Sequence, residues 1–301
     1  MPSSNNKISV VLPNLQEESI FKVIRQLKEL LKGRDFEIIV VNKSSREYLG
    51  RLRSTGVKVI EQKVQSVESA IMVGMSHANG GLIVSTDADA THGTEGLLPG
   101  IRMVSSGSAD LVLGNRFGNL TKGSMPAHVQ AGNSFISSVY SFVYRRKVHD
   151  VLTGFFVMNR KVYEAIKDVK PYRAGIAFFA IEVAKRNFKI AEVPISYYPR
   201  EHGKSQLAKS KVWYGVNVVT HIVRAARDYS PLLIFGGIGV VLIVIGLGFS
   251  IDVLFSYLSS GVFTTIGRAL IAFMLFVLGF LSIMVGFILD LLLEIARRIE
   301  R

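Results

Sequence analysis

Short apolar runs alternate with amphipathic stretches over the first two thirds of the chain. Ile8–Leu12, Phe36–Val41, Val57–Ile60, Leu82–Thr86 and Ala109–Leu113 read as strands. Between the first two, EESIFKVIRQLKELLKG sets Ile20, Ile24, Leu27 and Leu31 on one helical face, with Gly33 as a stop. Further helices are expected over Val67–Ala78 and Thr94–Ser105. Short apolar strands separated by helices predict an α/β fold, a mostly parallel sheet with helices on both faces.

The pattern changes near residue 230. Leu232–Ile251 and Ala269–Leu289 carry no charged residue, and each is long enough to cross a hydrocarbon core, for which about 20 residues suffice. Two such runs predict a two-helix transmembrane hairpin. Arg224 and Arg227 precede the first run, and Arg297, Arg298 and Arg301 follow the second, whereas Val253–Gly267 has no charge. The positive-inside rule then puts both termini and the polar N-terminal part on the cytoplasmic side, with Asp252 and Arg268 near the far interface. Gly236, Gly237, Gly239, Gly246 and Gly248 either permit close helix approach or are merely common in spans. The N-terminus, MPSSNNKISVVLP, lacks the long apolar core of a secretory signal. The absence of Cys fits a cytosolic face.

The formal net charge is +13. Such a balance can signal nucleic acid, but anionic lipid offers a better partner for a membrane-anchored chain, and no nucleic acid is expected. Arg200, Lys204, Lys209, Lys211, Arg224 and Arg227 cluster before the first span, interleaved with Val212, Trp213, Val216, Val219, Ile222 and Val223. Residues 205–230 therefore read as an amphipathic segment on the bilayer surface, or alternatively as a core helix with a solvated basic face.

The most chemically loaded stretch is LIVSTDADATHG, residues 82–93. Parallel sheets bind ligands beyond the carboxyl ends of their strands. If the strand continued through them, Asp87 and Asp89 would share one face. Two such carboxylates repel unless a divalent cation joins them, and hard oxygen ligands suit Mg²⁺ or Mn²⁺. A metal held by few protein groups keeps room for phosphate oxygens, so a nucleotide diphosphate is the expected ligand. A lone D-x-D also occurs in solvated turns.

The segments VVLPNLQEESI, EIIVVNKSS, STDADATH, LVLGNRF, VHDVLTGFFVMNRKVYEAI, EVPISY and REHGKS follow one another in this chain. In that order they resemble family 2 glycosyltransferases, most of all the polyprenyl-phosphate branch of dolichol-phosphate mannose and glucose synthases. The resemblance covers residues 7–215. It implies a GT-A nucleotide-sugar-binding domain over 1–204, then the amphipathic segment 205–230, then the spans and a short basic tail over 231–301. The implied reaction is inverting sugar transfer from a nucleotide diphosphate sugar to a polyprenyl phosphate.

The resemblance also implies roles. Pro13, Leu15 and Glu17 would help hold the donor's nucleotide, and Val41 and Asn42 would close the strand that contacts its base. Asp87, Ala88 and Asp89 would face the diphosphate, with Asp87 and Asp89 as metal ligands. Arg116 would lie near the transferring phosphates. Arg200, Lys204 and the Gly203–Ser205 turn would close over the donor, and Asp89, Arg116 and Arg200 would carry the reaction. Asp150 and Thr153–Phe155 match a further motif, with a structural or a catalytic role. His92 follows the aspartates without being expected as a ligand. The family pattern is broken at Leu15 and Gln16, at Asn42–Ser45, at the VQSVES stretch, at Thr91 where a glutamine is expected, and at Gln206 where a lysine is. Asn42 lacks the charge that suits guanine, which favours a UDP-sugar over a GDP-sugar. The alternative is a catalytically inactive relative that binds nucleotide or lipid and partners another membrane enzyme. The chain is also compatible with a homo-oligomer.

Overall fold

The structure, a computed structural model, describes residues 7–42, 45–61, 66–121, 123–171, 175–200, 211–227, 231–261 and 265–299. Two compact units divide it, Met1–Ile222 and Val223–Arg301.

The first unit begins β1 (Ile8–Asn14), α1 (Ile20–Leu30), β2 (Phe36–Asn42), α2 (Arg46–Ser54), β3 (Lys58–Glu61), α3 (Val67–Ser76) and β4 (Leu82–Ser85). It continues α4 (Leu97–Ser105), β5 (Leu111–Leu120), α5 (Ala127–Tyr144), β6 (Phe156–Asn159), α6 (Arg160–Ile166), α7 (Ala177–Lys185) and β7 (Ile190–Tyr197), and α8 (Lys211–Arg227) runs across the division at Ile222. The seven strands lie in the order β3-β2-β1-β4-β6-β5-β7. All pairings are parallel except those of β6, which runs antiparallel to both β4 and β5. The expected mostly parallel sheet is therefore present, with one reversed strand inside it.

Both faces of the sheet are covered. Val10, Leu12, Val40 and Val84 pack under α1 and α4 with Ile24, Leu27 and Ile101. Val11 and Val41 point to the other face, where α3 crosses. A Cβ on Gly74 would come within 2.3 Å of Val11 Cγ1 and 3.0 Å of Val41 Cγ2, so this crossing admits glycine alone. Burial on both faces explains why these strands read as unbroken apolar runs instead of alternating ones. Gly33 takes a φ of +82° after α1, the conformation its stop role demands.

In the second unit, α9 (Pro231–Ser260) and α10 (Ile266–Ile299) pack antiparallel, and both are long and apolar enough to cross a membrane. The first helix runs past the charge-free stretch, so Val253–Ser260 is helical and does not belong to the connection. Asp252 and Arg268 form an ion pair of 2.6 Å. The glycines divide between the two readings. Gly239 and Gly246 sit at the crossing, where a Cβ on Gly239 would meet the Gly279 carbonyl at 2.5 Å, while Gly237 and Gly248 face open space. Ser282 donates across the hairpin to the Phe235 carbonyl at 2.7 Å.

Candidate functional site

The carboxyl ends of β1, β2 and β4 share one edge of the sheet, with Asn14 level with Asn42 and Val11 level with Ser85. Beyond this edge the β1–α1 loop is held in place by three polar groups. Asn14 donates to the Tyr48 hydroxyl at 3.1 Å and accepts from the Glu17 backbone N–H at 3.0 Å. Tyr48 in turn donates to the Glu17 carbonyl at 2.6 Å. Gln16 adopts a φ of +56° in this loop. The backbone of Glu17 is thus fixed and its side chain turned toward β4.

Strand β4 ends at Ser85, so strand alternation does not place the two aspartates. They stand on the turn that follows, which Ala90 completes with a φ of +58°. Asp89 Oδ1 accepts from the Thr91 hydroxyl at 2.7 Å and from its backbone N–H at 3.1 Å. A short side chain closing on its own backbone two residues later is a turn-forming arrangement. Thr91 therefore orients Asp89. The turn is fastened to β7 by Tyr198 N–H on the Thr91 carbonyl at 2.8 Å and by Gly93 N–H on the Ser196 carbonyl at 2.8 Å.

Arg200, beyond β7, joins the loops. Its Nη2 donates to Asp89 Oδ2 at 2.5 Å and its Nη1 to Glu17 Oε1 at 3.3 Å. Glu17, Asp89 and Arg200 are thus brought together. Burial would raise the Asp89 carboxyl, but hydrogen bonds from Thr91 and Arg200 outweigh it and hold the group below its ordinary range. Asp87 goes the other way. Desolvation pushes its carboxyl up, and the adjacent Asp89 charge adds to the shift. Partial burial also raises Glu17, against the pull of Arg200.

His92 is buried beside Asp87, its Nδ1 3.6 Å from Asp87 Oδ2, and neither ring nitrogen has a hydrogen-bond partner among the described residues. Desolvation lowers its pKa, which keeps the imidazole neutral at pH 7. On another side Gly154 touches Asp87 so closely that a Cβ there would lie 2.3 Å from Oδ1.

Arg116 is engaged by Asp150. The guanidinium donates through Nε at 2.6 Å and Nη2 at 2.8 Å, and its backbone N–H reaches the same carboxylate at 3.2 Å. Both side chains are buried, and Tyr197 lies 5.3 Å from the guanidinium carbon. The bidentate pair leaves Nη1 with no hydrogen-bond partner among the described residues, and the arginine's charge still acts on Asp87. Asp150 thus positions Arg116.

Leu15 is exposed, whereas Val41, Asn42 and Ala88 are buried, Asn42 at the very end of β2, and Pro13 is half-buried. Lys204, the Gly203–Ser205 turn and Gln206 lie outside the described residues. Tyr197, Tyr48 and Gly154 shape the site without having been singled out. Gly154, inside the T-G-F segment, and Tyr197, at the end of EVPISY, carried a signal, and Tyr48 carried none.

The two aspartates fit a divalent cation in donor chemistry: hard oxygens, one of them already drawn to the positive charge of Arg200. Among the described residues no cluster of three or more acidic, His or Cys side chains completes a ligand set. Further positions would fall to oxygens of a bound ligand.

A profile described as "Glycosyl transferase family 2" matches residues 9–167. The chain belongs to glycosyl transferase family 2. Among curated relatives, the low-salt glycan biosynthesis hexosyltransferase of Haloferax volcanii is 30% identical over 199 residues, 64% of this chain. The chain spans only 48% of that protein's length. The dolichol-phosphate mannosyltransferase of Pyrococcus furiosus is 26% identical over 256 residues, covering 81% of this chain and 71% of the relative. A solved structure with the same fold is the glucosyl-3-phosphoglycerate synthase of Mycobacterium tuberculosis in complex with Mn²⁺, UDP and glucosyl-3-phosphoglycerate. It gives a TM-score of 0.57 at 19% identity, covering 73% of this chain and 80% of that one. The site of this family 2 chain therefore lies on a GT-A sheet edge.

Proposed function

We propose that this family 2 chain is a membrane-bound inverting glycosyltransferase that moves a sugar from a nucleotide diphosphate sugar, UDP-linked in preference to GDP-linked, to a polyprenyl phosphate. The observation that carries the reading is the Glu17–Arg200–Asp89 network beside Asp87, at the sheet edge and next to the buried Arg116. The relative named as a dolichol-phosphate mannosyltransferase and the two span-length helices support the lipid acceptor. The neighbour solved with Mn²⁺ and UDP supports a divalent metal and a nucleotide diphosphate. The basic residues flanking the spans support a cytoplasmic domain and cytoplasmic termini.

The acceptor needs no dedicated base, because a phosphate monoester has a second pKa of about 6 and is largely dianionic at neutral pH. In one displacement an oxygen of the lipid phosphate forms a bond to the anomeric carbon, the bond to the nucleotide diphosphate breaks, and the configuration inverts. Asp87 and Asp89 would hold Mg²⁺ or Mn²⁺, which when bound would offset charge on the departing diphosphate. Arg200 neutralises Asp89 and Glu17 and would offer a bidentate donor to the phosphate oxygens of a bound donor. Arg116, held rigid by Asp150, contributes fixed positive charge next to Asp87.

The full chain, reconstituted in liposomes containing polyprenyl phosphate, tests this with a panel of radiolabelled UDP- and GDP-sugars and Mn²⁺ or Mg²⁺. Transfer to the lipid is expected with one donor and is lost with Asp89→Asn or in excess chelator. Full turnover in chelator overturns the metal reading. Nucleotide binding without transfer to any acceptor assigns the chain to the inactive relatives.

A further inference from the structure

The loop that bears Asp150 is held by side chains. The backbone N–H groups of Val148, His149, Asp150 and Val151 all go to side-chain oxygens. Val148 donates to Ser141 Oγ at 3.1 Å and Val151 to Ser137 Oγ at 3.0 Å, both serines belonging to α5. His149 and Asp150 donate to a single atom, Glu192 Oε1, at 2.9 and 3.0 Å. Glu192 stands on β7, level with Leu113 of β5, the strand that carries Arg116.

The Glu192 carboxylate is committed to this loop. Its side chain is 12% exposed, and among the described residues no Lys or Arg pairs with it. Its other oxygen meets His149 Nδ1 at 2.6 Å, on a ring that is half exposed. A carboxylate buried to this depth is costly unless hydrogen bonds answer it, and N–H donors hold an ionised acceptor about twice as strongly as a neutral one. The two backbone N–H groups therefore take a fixed place relative to β7. Beyond them the Asp150 carboxylate, itself fully buried, receives the Arg116 backbone N–H, Nε and Nη2. Asp150 alone thus links Glu192 to the guanidinium, and a displacement of its backbone is passed on to Arg116.

We propose that Glu192 is a positioning residue for sugar transfer: it fixes the backbone from which Asp150 holds Arg116 beside Asp87. It acts through Asp150 and touches none of the reacting groups. The inference rests on the transfer reading, in which Arg116 supplies positive charge at the site.

The test is a double-mutant cycle in the full chain, reconstituted in liposomes with polyprenyl phosphate. One arm is Glu192→Ala. The other is Arg116→Gln with Asp150→Asn, which removes the arginine and its counter-charge together. Glu192→Ala alone should lower kcat by about 10- to 100-fold, the cost of a site group displaced by about 1 Å, and leave the donor's KM unchanged. Added to the second arm, it should cost no more than about twofold, the ordinary error of additivity. Glu192→Gln keeps an oxygen for both N–H groups and should restore most of the turnover. His149→Ala leaves those two bonds in place and should match the parent. The same fold-loss from Glu192→Ala in both backgrounds overturns the proposal and makes Glu192 a general clamp of the fold. Glu192→Gln no better than Glu192→Ala overturns it too. If Glu192→Ala does not fold, Glu192→Asp, shorter in reach, takes its place in the cycle. A parent chain without transfer sinks the transfer reading instead, and the cycle is then read by denaturant unfolding. Glu192→Ala should cost less stability in the second arm than in the parent, and equal losses overturn the link to Arg116.

Discussion

Replacing Gly154 by Ala isolates the position of one carboxylate from the rest of the site. The new Cβ would lie 2.3 Å from Asp87 Oδ1 and 2.8 Å from both Cγ and Oδ2. Ordinary contact begins near 3.4 Å, so the carboxylate must retreat by about 1 Å. The backbone of Gly154 does not take the left-handed conformation, so the cost falls on space alone. A displacement of about 1 Å at a reacting centre costs roughly 100-fold in rate, or about 2.7 kcal/mol of barrier. Overpacking of this kind typically costs about 1–3 kcal/mol of stability, and the low end applies because the displaced group is a side-chain terminus. The assay is sugar transfer to polyprenyl phosphate in liposomes, with Mn²⁺ affinity followed by electron paramagnetic resonance. Both should fall while the melting temperature moves little. Gly132→Ala is the control, since Gly132 faces open space inside α5. It should stabilise by about 0.5–1 kcal/mol and leave transfer alone. If Gly154→Ala turns over and binds Mn²⁺ like the parent, Asp87 does not act from the position it holds here.

Asp150→Ala strands the buried Arg116 guanidinium and should destabilise the fold by about 3–5 kcal/mol, read by denaturant unfolding; a loss below about 1 kcal/mol would mean that water reaches the pair. Glu68, buried in the first turn of α3, has its carboxyl raised by desolvation. Its ionised form therefore costs folded-state stability above the folded pKa, and that cost disappears below the unfolded one. Glu68→Gln should then melt higher than the parent at pH 7 and match it below about pH 4; a lower melt at pH 7 would contradict the sign. Asn42→Asp should improve GDP relative to UDP by about 1 kcal/mol, the difference between charged and neutral hydrogen bonds. Thermal stabilisation by each nucleotide with Mn²⁺ measures it, and an unmodified chain that prefers GDP refutes the base assignment.

The strands buried on both faces were legible because nothing polar interrupts them, as Ile38–Val41 shows. Strands β6 and β7 were not. The first runs straight into α6 at Arg160 with no turn residue between them, and the second contains Pro194, which argues against a strand unless it lies at an edge, where β7 is found. Helix ends drifted by two or three residues where the expected α3 and α4 gave way to caps at His77 and Gly96. The hairpin was visible as missing charge, but charge says nothing about helix length, and the polar end of α9 stayed helical through Ser260.

The site was legible as a set of residue types and not as a set of contacts. Asp87 and Asp89 were found by their place after an apolar run, yet strand alternation gave the wrong reason for their pairing, because β4 ends at Ser85 and both stand on the turn that the left-handed Ala90 completes. The departure at Thr91, where a glutamine is expected, becomes a local device once its hydroxyl is seen on Asp89. Arg116 and Asp150 stand 34 positions apart, and Arg200 and Asp89 stand 111 apart. No periodicity carries information over such separations. They are set by the order in which the sheet stacks β4, β6, β5 and β7, and β6 and β7 were the strands the pattern left unread. The same two strands that were illegible alone therefore fix the partners of both arginines, β6 by following the turn that bears Asp150 and Gly154, β7 by delivering Tyr197 and Arg200. A chain read without them yields the acids and the cations of this site but leaves open which acid each cation holds.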